Sequence, residues 1–383
     1  MRDRSSKRVT IRHVALEAGV STQTVSRVVN NIPGVLPDTR EKVQKAIDRL
    51  GYRPNVIARS LSQRRSYSIG VVASGIDYYG PSRTLVGIEQ GANEAGYSLN
   101  LSLLHQPESD DVQPLIDGFL SRQVDGIIWA TQEIGDNLGW LEQEHFPIPV
   151  VFLETRPRRE VSVVNVDSRY GSWLAVQHLI SRGHKKIGVI TGPSSWWSAR
   201  ERLQGWQAAM TAAGLEAEGC QIAEGNWTTS SGAVGLEKLL EQCPDMDAVF
   251  VSNDQMALGV LQTSRKLGRR VPEELAVVGY DDIPESAYFW PPLTTVRQDL
   301  MLFGRTAVSL LKDQITASHQ EGDFSGKTDT IWLKPDLIVR GSSGGSDPSP
   351  ESVFGAADTD LAAVDENRKT KPGQEAFTGA EAF

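Results

Sequence analysis

Cysteine is nearly absent. Cys220 and Cys243 are the only two in 383 residues. Their spacing matches neither a zinc ligand set nor a disulfide framework, so neither a metal centre nor a stapled secreted domain is expected. Histidine is equally thin: the six are scattered, with no H-x-x-x-H pair to hold a metal on a helix face. No run approaches the ~20 consecutive apolar residues of a membrane span. The N-terminus is rich in Arg and Lys, but no apolar stretch follows it, so an export signal is not expected. These absences lead to the expectation of a cytoplasmic chain with no metal, no cofactor and no membrane partner.

Positive charge is also lacking overall. The formal net charge is −9, which taken alone argues against nucleic acid. Its distribution reverses that. Residues 1–65 hold 14 Lys/Arg against 5 Asp/Glu, a segment of +9, so the remainder carries −18. A basic arm on an acidic body is expected when only one end meets phosphate, and the body then repels DNA from wrong docking. A chain of this length should hold two or three domains.

Residues 9–30, V-T-I-R-H-V-A-L-E-A-G-V-S-T-Q-T-V-S-R-V-V-N, set the organisation. Thr10 is a candidate N-cap, and Ile11, Val14, Ala15 and Ala18 share one helical face. Gly19 breaks that helix and Ser21 caps a second, whose inward stripe is Val25, Val28 and Val29. Its other face carries Thr22, Gln23, Ser26, Arg27 and Asn30, side chains able to bond base edges or phosphates. An ordinary helical hairpin would more often fill that face with Glu and Lys. The pattern therefore reads as a helix-turn-helix that meets double-stranded DNA. A third helix runs from Pro37 and Asp38 through Val43, Ala46, Ile47 and Leu50 to a C-cap at Gly51. Beyond it, Pro54 ends what precedes, and Asn55 can cap a helix too short to hold alone in water. Such a helix needs a two-fold mate or DNA. Leu61, among Arg59, Arg64 and Arg65, is placed like a minor-groove wedge. A basic flexible linker is the plain alternative for the DNA-free state.

From Ser68 the texture changes to short apolar runs at 69–73, 99–104, 126–130, 150–153, 187–191, 248–252 and 275–280, read as buried parallel strands. Between most of them lie helical patterns, among them 84–95, 170–182, 199–213 and 254–267. This alternation predicts an α/β core of two doubly wound parallel-sheet lobes, with ligand beyond the carboxyl ends of the strands. Glu154, Asn253 and Asp281 fall just past three of those ends, Asp254 is expected to cap the helix that follows, and Ser198 and Arg202 open another. From Gly341 onward the composition is Gly, Ser, Pro, Ala, Asp and Glu with a single leucine, Leu361. That predicts a disordered acidic tail with no coiled-coil seam. The expected divisions are a headpiece at 1–53, a hinge helix or linker at 54–66, a two-lobed core at 67–340 and a tail at 341–383.

The first motif, followed by T-R-E-K-V-x-x-A-I-x-x-L-G-Y-R-P-N, resembles the lactose-repressor (LacI/GalR) family of bacterial regulators, and the likeness extends from residue 9 to about 340. The resemblance implies a helix-turn-helix headpiece, a hinge helix in which Asn55, Ala58 and Leu61 meet DNA, and a periplasmic-binding-protein-like core. Residues 192–206, 224–227, 253–259, 277–282 and 291–299 are especially similar to the lactose-sensing branch, which implies a glycoside pocket. Ser74, Glu154, Ser198, Arg202, Trp227, Asn253, Asp281 and Gln298 match sugar-lining positions. Trp196 and Trp197 add aromatics on one loop, at least one of which should face ligand, while Trp206 reads as core. Several departures matter. Glu154 replaces a shorter Asp, Leu300 an aromatic, Tyr78 and Thr84 aliphatics near the sugar, and Thr22 a tyrosine of the reading helix.

The resemblance thus implies a repressor that binds a pseudo-palindromic operator as a homodimer and is released by a sugar, a β-linked glucoside or galactoside. Without a C-terminal leucine heptad helix, a tetramer is not expected. Three alternatives stand beside it. Ligand could strengthen DNA binding, as a co-repressor does. Glu154 and Asp281 could form a glycosidase acid/base pair, against which the attached DNA-reading head argues. A secreted sugar-binding protein would share the core but would need an export signal.

Overall fold

The computed structural model describes residues 9–30, 32–52, 65–105, 112–142, 146–159, 161–217, 219–321 and 328–345. They fall into two compact units divided between Tyr67 and Ser68. Asn55, Ala58 and Leu61, and the expected tail from residue 346 on, lie outside the described residues.

The first unit is three helices, α1 (Ile11–Ala18), α2 (Thr22–Val29) and α3 (Pro37–Leu50). Val14, Ala15, Val25, Val28, Val43 and Ala46 close a core, with Ile11, Ala18, Val29, Ile47 and Leu50 packed against it. The turn between α1 and α2 needs the left-handed region, and Gly19 takes it at φ 65°. Ser21 caps α2, its Oγ accepting from Thr24 N at 3.0 Å. At α1 the Thr10 amide instead donates to His13 Nδ1 at 3.0 Å. Arg49 and Glu17, 2.7 Å apart, tie α3 to α1.

The second unit holds two six-stranded sheets. One has the order β11-β5-β4-β3-β1-β2, built from β1 (Ser68–Ala73), β2 (Ser98–Leu103), β3 (Gly126–Ala130), β4 (Val150–Leu153), β5 (Ser162–Val166) and β11 (Thr330–Leu333). The other has the order β12-β10-β9-β8-β6-β7, built from β6 (Ile187–Thr191), β7 (Ile222–Glu224), β8 (Ala248–Val251), β9 (Ala276–Asp281), β10 (Thr294–Arg297) and β12 (Asp336–Ile338). Every pairing is parallel except β10 with β12. In each sheet the order reverses beside the strand that opens the lobe, β1 and β6, which is the switch point where such folds leave a crevice.

The helices cover both faces: α4 (Tyr79–Glu94), α5 (Gln113–Ser121), α6 (Ser168–Ser181), α7 (Trp197–Ala212), α8 (Thr229–Gln242), α9 (Asp254–Lys266) and α10 (Leu300–Glu321). The lobes are not two consecutive halves of the chain. After β10, the chain returns so that Leu300, Phe303, Val308 and Leu311 of α10 complete the core of the first lobe. β11 then joins β5, and β12 goes back to β10.

Four expectations need correction. Residues 99–104 do not form a buried strand: β2 is an edge strand, and Leu101 is 46% exposed. The helix expected at 84–95 begins five residues earlier, because Gly80 and Pro81 lie in its first turn, where no amide is needed for the ladder. Asn253, not Asp254, caps α9, its Oδ1 accepting from Met256 N at 2.9 Å. The core also continues past residue 340. Gly341–Ser343 form a short 3-10 helix, and Ser342 Oγ accepts from Thr294 N at 2.8 Å and donates to Val277 O at 2.6 Å. The small serines that read as tail are what lets this turn sit on the strand edge.

Glycine sets the spacing of the helix pairs. A Cβ on Gly232 of α8 would run into the Met256 carbonyl of α9, and one on Gly259 of α9 into the Thr229 carbonyl of α8. Both obstacles are backbone, so a substitution must part the helices. Gly259→Ala should destabilise the core by about 2 kcal/mol, read as a lower midpoint in urea unfolding. Gly80→Ala, where a Cβ meets open space, should lose nothing comparable; equal losses at both positions would refute the close-packing account.

Candidate functional site

Between the two lobes of the second unit lies a cleft of about 480 Å³, within the range of small-molecule sites. The carboxyl ends of strands feed it. Gln132 follows β3, Glu154 follows β4, Asn253 follows β8, Asp281 ends β9 and Gln298 follows β10; all five line the cleft. Tyr78 and Tyr79 enter from the start of α4, and Trp196, Ser198 and Arg202 from the start of α7.

Arg202 is the centre of the arrangement. It is 6% exposed, its guanidinium lies 3.8 Å from the Tyr280 ring centroid and 5.6 Å from that of Trp227, and Nη2 is 3.8 Å from Asp281 Oδ1. It also donates to the carbonyl of Ser252 at the end of β8. Gln298 Nε2 donates to the same Asp281 oxygen at 2.7 Å. Asp282, gripped by Arg297 and Arg340 at 2.7 Å each, fixes the chain immediately behind Asp281.

The two carboxylates are held against their solvation preference. Burial pushes Asp281 up to about 6, against the pull of Arg202 and the Gln298 hydrogen bond, with the Glu154 charge adding to the rise. Burial also raises Glu154, opposed by Arg202 and by a hydrogen bond with Gln132. Asp254, buried beneath the cleft, lies well above the usual carboxylate range through burial first and the Asp281 charge second. Thr295 Oγ1 donates to it at 2.6 Å and Ile283 N at 2.9 Å.

The backbone is bent to the same end. Glu154, Trp227 and Asp281 have φ of 49°, 70° and 111°, a region that costs side chains energy and is kept where neighbours enforce it, as at ligand sites. Trp227 owes its place to Gly192: a Cβ there would overlap the indole. Four buried polar atoms of cleft residues make no hydrogen bond within the protein: Arg202 Nε, Trp227 Nε1, Gln255 Oε1 and Gln298 Oε1. Aromatic edges complete the wall. Tyr78 and Trp196 meet at 5.7 Å and 89°, Trp196 and Trp227 at 5.6 Å and 62°. Gly192→Ala should therefore displace Trp227 and weaken ligand binding at least tenfold, about 1.4 kcal/mol, measured by tryptophan fluorescence titration; unchanged affinity would mean that Trp227 does not touch ligand.

Most of the expected cleft residues meet here: Tyr78, Glu154, Trp196, Ser198, Arg202, Trp227, Asn253, Asp281 and Gln298. Ser74 and Trp197 do not line the cleft. Ser74 is 4% exposed just past β1. Trp197 is 6% exposed, its ring centroid 6.4 Å from that of Trp332 and its amide donating to Glu133 O at 3.0 Å. It packs between elements, and of the two adjacent tryptophans Trp196 takes the cleft. Leu300 and Thr84 are both buried off the cleft, Leu300 in the core of the first lobe and Thr84 with its hydroxyl on the Gly80 carbonyl at 2.9 Å. Trp206 is wholly buried, as expected. The Asn253 amide is already engaged on both sides, by Met256 N and by the Trp227 carbonyl at 3.0 Å, so its first role is to shape the wall. Tyr79, Gln132 and Gln255 were missed. Gln132 carried the same signal as Glu154, a planar polar side chain just past an apolar strand.

In the first unit, Thr22, Gln23 and Arg27 are exposed on one face of α2, and Thr10 is exposed before α1. Ser26 and Asn30 are half-buried, Asn30 Nδ2 donating to Ser26 Oγ at 3.3 Å. Among the described residues no group of His, Cys, Asp and Glu could hold a metal ion, and no helix is long and apolar enough to cross a membrane.

Comparison with known proteins adds to this geometry. Residues 10–55 match the model of bacterial regulatory proteins of the lacI family, and residues 176–343 that of a periplasmic binding protein-like domain. The chain is 34% identical over 333 residues to the HTH-type transcriptional repressor PurR of Haemophilus influenzae, covering 87% of this chain and 98% of that protein. Among solved structures it is similar to a lac repressor dimer bound to operator and the anti-inducer ONPF, at TM-score 0.75 and 32% identity over 88% of this chain and 99% of that one. A CelR–cellobiose complex matches at TM-score 0.64 and 35% identity, over 88% and 100%.

Proposed function

The chain belongs to the LacI family, a DNA-binding transcriptional regulator with an effector-binding core and not an enzyme, and from that premise we propose that it is a repressor released from its operator by a sugar, a β-linked disaccharide of glucose or galactose. The observation that carries this reading is the cleft itself: Asp281 and Glu154 line it together with Arg202, beside an edge-to-face wall of Tyr78, Trp196 and Trp227. Paired carboxylates accept from neighbouring hydroxyls, a guanidinium donates to others, and aromatic faces take the apolar side of a pyranose. A wall of three rings is longer than one sugar needs, which favours a disaccharide. Two similar proteins support the reading: CelR is a transcriptional regulator seen in complex with cellobiose, and the lac repressor is seen as a dimer bound to operator and the anti-inducer ONPF.

In this proposal two chains in the cytoplasm pair through their cores and set two α2 helices in successive major grooves, about 34 Å apart. Thr22, Gln23, Ser26, Arg27 and Asn30 face the bases and backbone, with Thr10 and Ser21 at the phosphates. Asn55, Ala58 and Leu61 serve the minor groove at the centre of the pseudo-palindrome, where a pyrimidine–purine step is easiest to kink. Sugar between the lobes favours one lobe angle, and coupling is reciprocal, so operator weakens sugar binding by the factor by which sugar weakens operator.

The test is retention of the DNA upstream of the protein's own gene, in a gel or anisotropy assay, with cellobiose, lactose, allolactose, galactose and a purine titrated in turn. Release by a disaccharide is the expected result. Tighter binding with any ligand would replace induction by co-repression, and no response to any sugar would remove the sugar reading while leaving DNA recognition in place.

A further inference from the structure

The two cysteines of the chain, remote in sequence, meet in space. Cys220 lies in the short 3-10 turn Gly219–Gln221 that leads into β7, and Cys243 is the C-cap residue of α8. Their sulfurs are 2.8 Å apart, both half-buried in the same lobe. A disulfide has S–S of about 2.05 Å, so bond formation requires a shift of under about 1 Å. The segment they bracket is β7, the loop carrying Trp227 and Thr228 into the cleft, and the whole of α8, whose first residue Thr229 also lines the cleft.

We propose that Cys220 and Cys243 are a redox-sensitive pair, oxidised to an intramolecular disulfide by low-molecular-weight disulfides, which clamps the base of the segment that presents Trp227. The chemistry balances as two exchanges. One cysteine, as thiolate, attacks a sulfur of the small disulfide and expels one thiolate, leaving a mixed disulfide on the protein. The second cysteine loses its proton, attacks the protein sulfur and expels the second small thiolate. Two S–H bonds become one S–S bond, and the small disulfide is reduced to two thiols. Proximity makes the second step intramolecular and fast relative to reaction with another molecule. A disulfide in a cytosolic protein is typically transient and sensory, which suits a bond joining a turn to a helix cap and not two core strands. The inference does not depend on which ligand the cleft takes.

The test equilibrates the reduced full-length protein with oxidised and reduced glutathione over a range of ratios, followed by acid quench, alkylation and intact mass. Both thiols should be lost together with no glutathione retained and no cross-linked dimer on a non-reducing gel. Cys220→Ser and Cys243→Ser, each lacking the resolving thiol, should retain one glutathione. Amide exchange across α8 should slow several-fold in the oxidised wild type, and the melting temperature should rise by on the order of 5 °C. Retained glutathione on the wild type, or two thiols surviving the most oxidising ratio, would overturn the pair; a disulfide that leaves exchange in α8 unchanged would overturn the clamp.

Discussion

Arg202→Leu should abolish the response to effector while leaving operator binding intact. Effector affinity should fall on the order of 100-fold or more, as expected for a buried charge-assisted anchor. The magnitude follows from how much Arg202 does at once. Its guanidinium lies over Tyr280 and near Trp227, faces Asp281 and donates to the Ser252 carbonyl. It is also the first charge opposing the burial-driven rise at both Glu154 and Asp281. Removing it leaves two buried carboxyls that stay protonated to higher pH and so offer hydroxyls weaker acceptors. Arg202→Lys should rescue little, because an ammonium cannot stack on Tyr280 while bonding in the ring plane. Calorimetric titration with whichever compound shifts operator retention in the assay above, and operator retention at its saturation, read both halves. Near-normal affinity in either variant would move the binding centre elsewhere in the cleft.

Much of this centre was legible in the sequence because one rule located it: a polar side chain just past a buried apolar run lies over the crevice of a doubly wound fold. That rule found Glu154, Asn253 and Asp281, and applied to the run at 126–130 it would also have found Gln132. It could not place Trp197. Adjacent tryptophans share composition and loop, and only the direction of the α7 start sends Trp196 to the cleft and Trp197 towards Trp332. Nor could local pattern show that α10 and β11 return to the first lobe, since that return depends on α10 fitting against α4 through Gly87 and Gly304. The headpiece was the easiest part to read, as each turn is announced by its own residue: Gly19, Ser21, Pro37, Gly51. The short serine-rich turn at 341–343 was the hardest. Its stability comes from strand-edge partners such as Thr294 and Val277 that lie far away in the chain.

Asp281→Asn should stabilise the ligand-free protein and destroy its ligand response, with the balance set by pH. The carboxyl lies at about 6 in the folded state, raised by burial from 3.8, so between about pH 4 and 6 the folded protein binds more protons than the unfolded chain. Stability therefore falls as pH rises through that window and levels off above it. An amide carries no such cost and can still accept from Gln298 Nε2. Above pH 6 the variant should gain roughly 2–3 kcal/mol, and below pH 4 it should gain nothing from this source. Effector affinity should run the other way in the wild type, improving as pH rises through 6, because under the proposed sugar reading the ionised form is the better acceptor of ligand hydroxyls. In Asp281→Asn that dependence should shrink to whatever Glu154 and Asp254 still contribute, both raised in the same sense. Urea unfolding and sugar titration across pH 4.5 to 8, values chosen to bracket about 6, separate the two effects. A variant less stable than wild type at the upper end would show that Asp281 is held by favourable contacts, and that its ionisation is not the strain the cleft stores for its ligand.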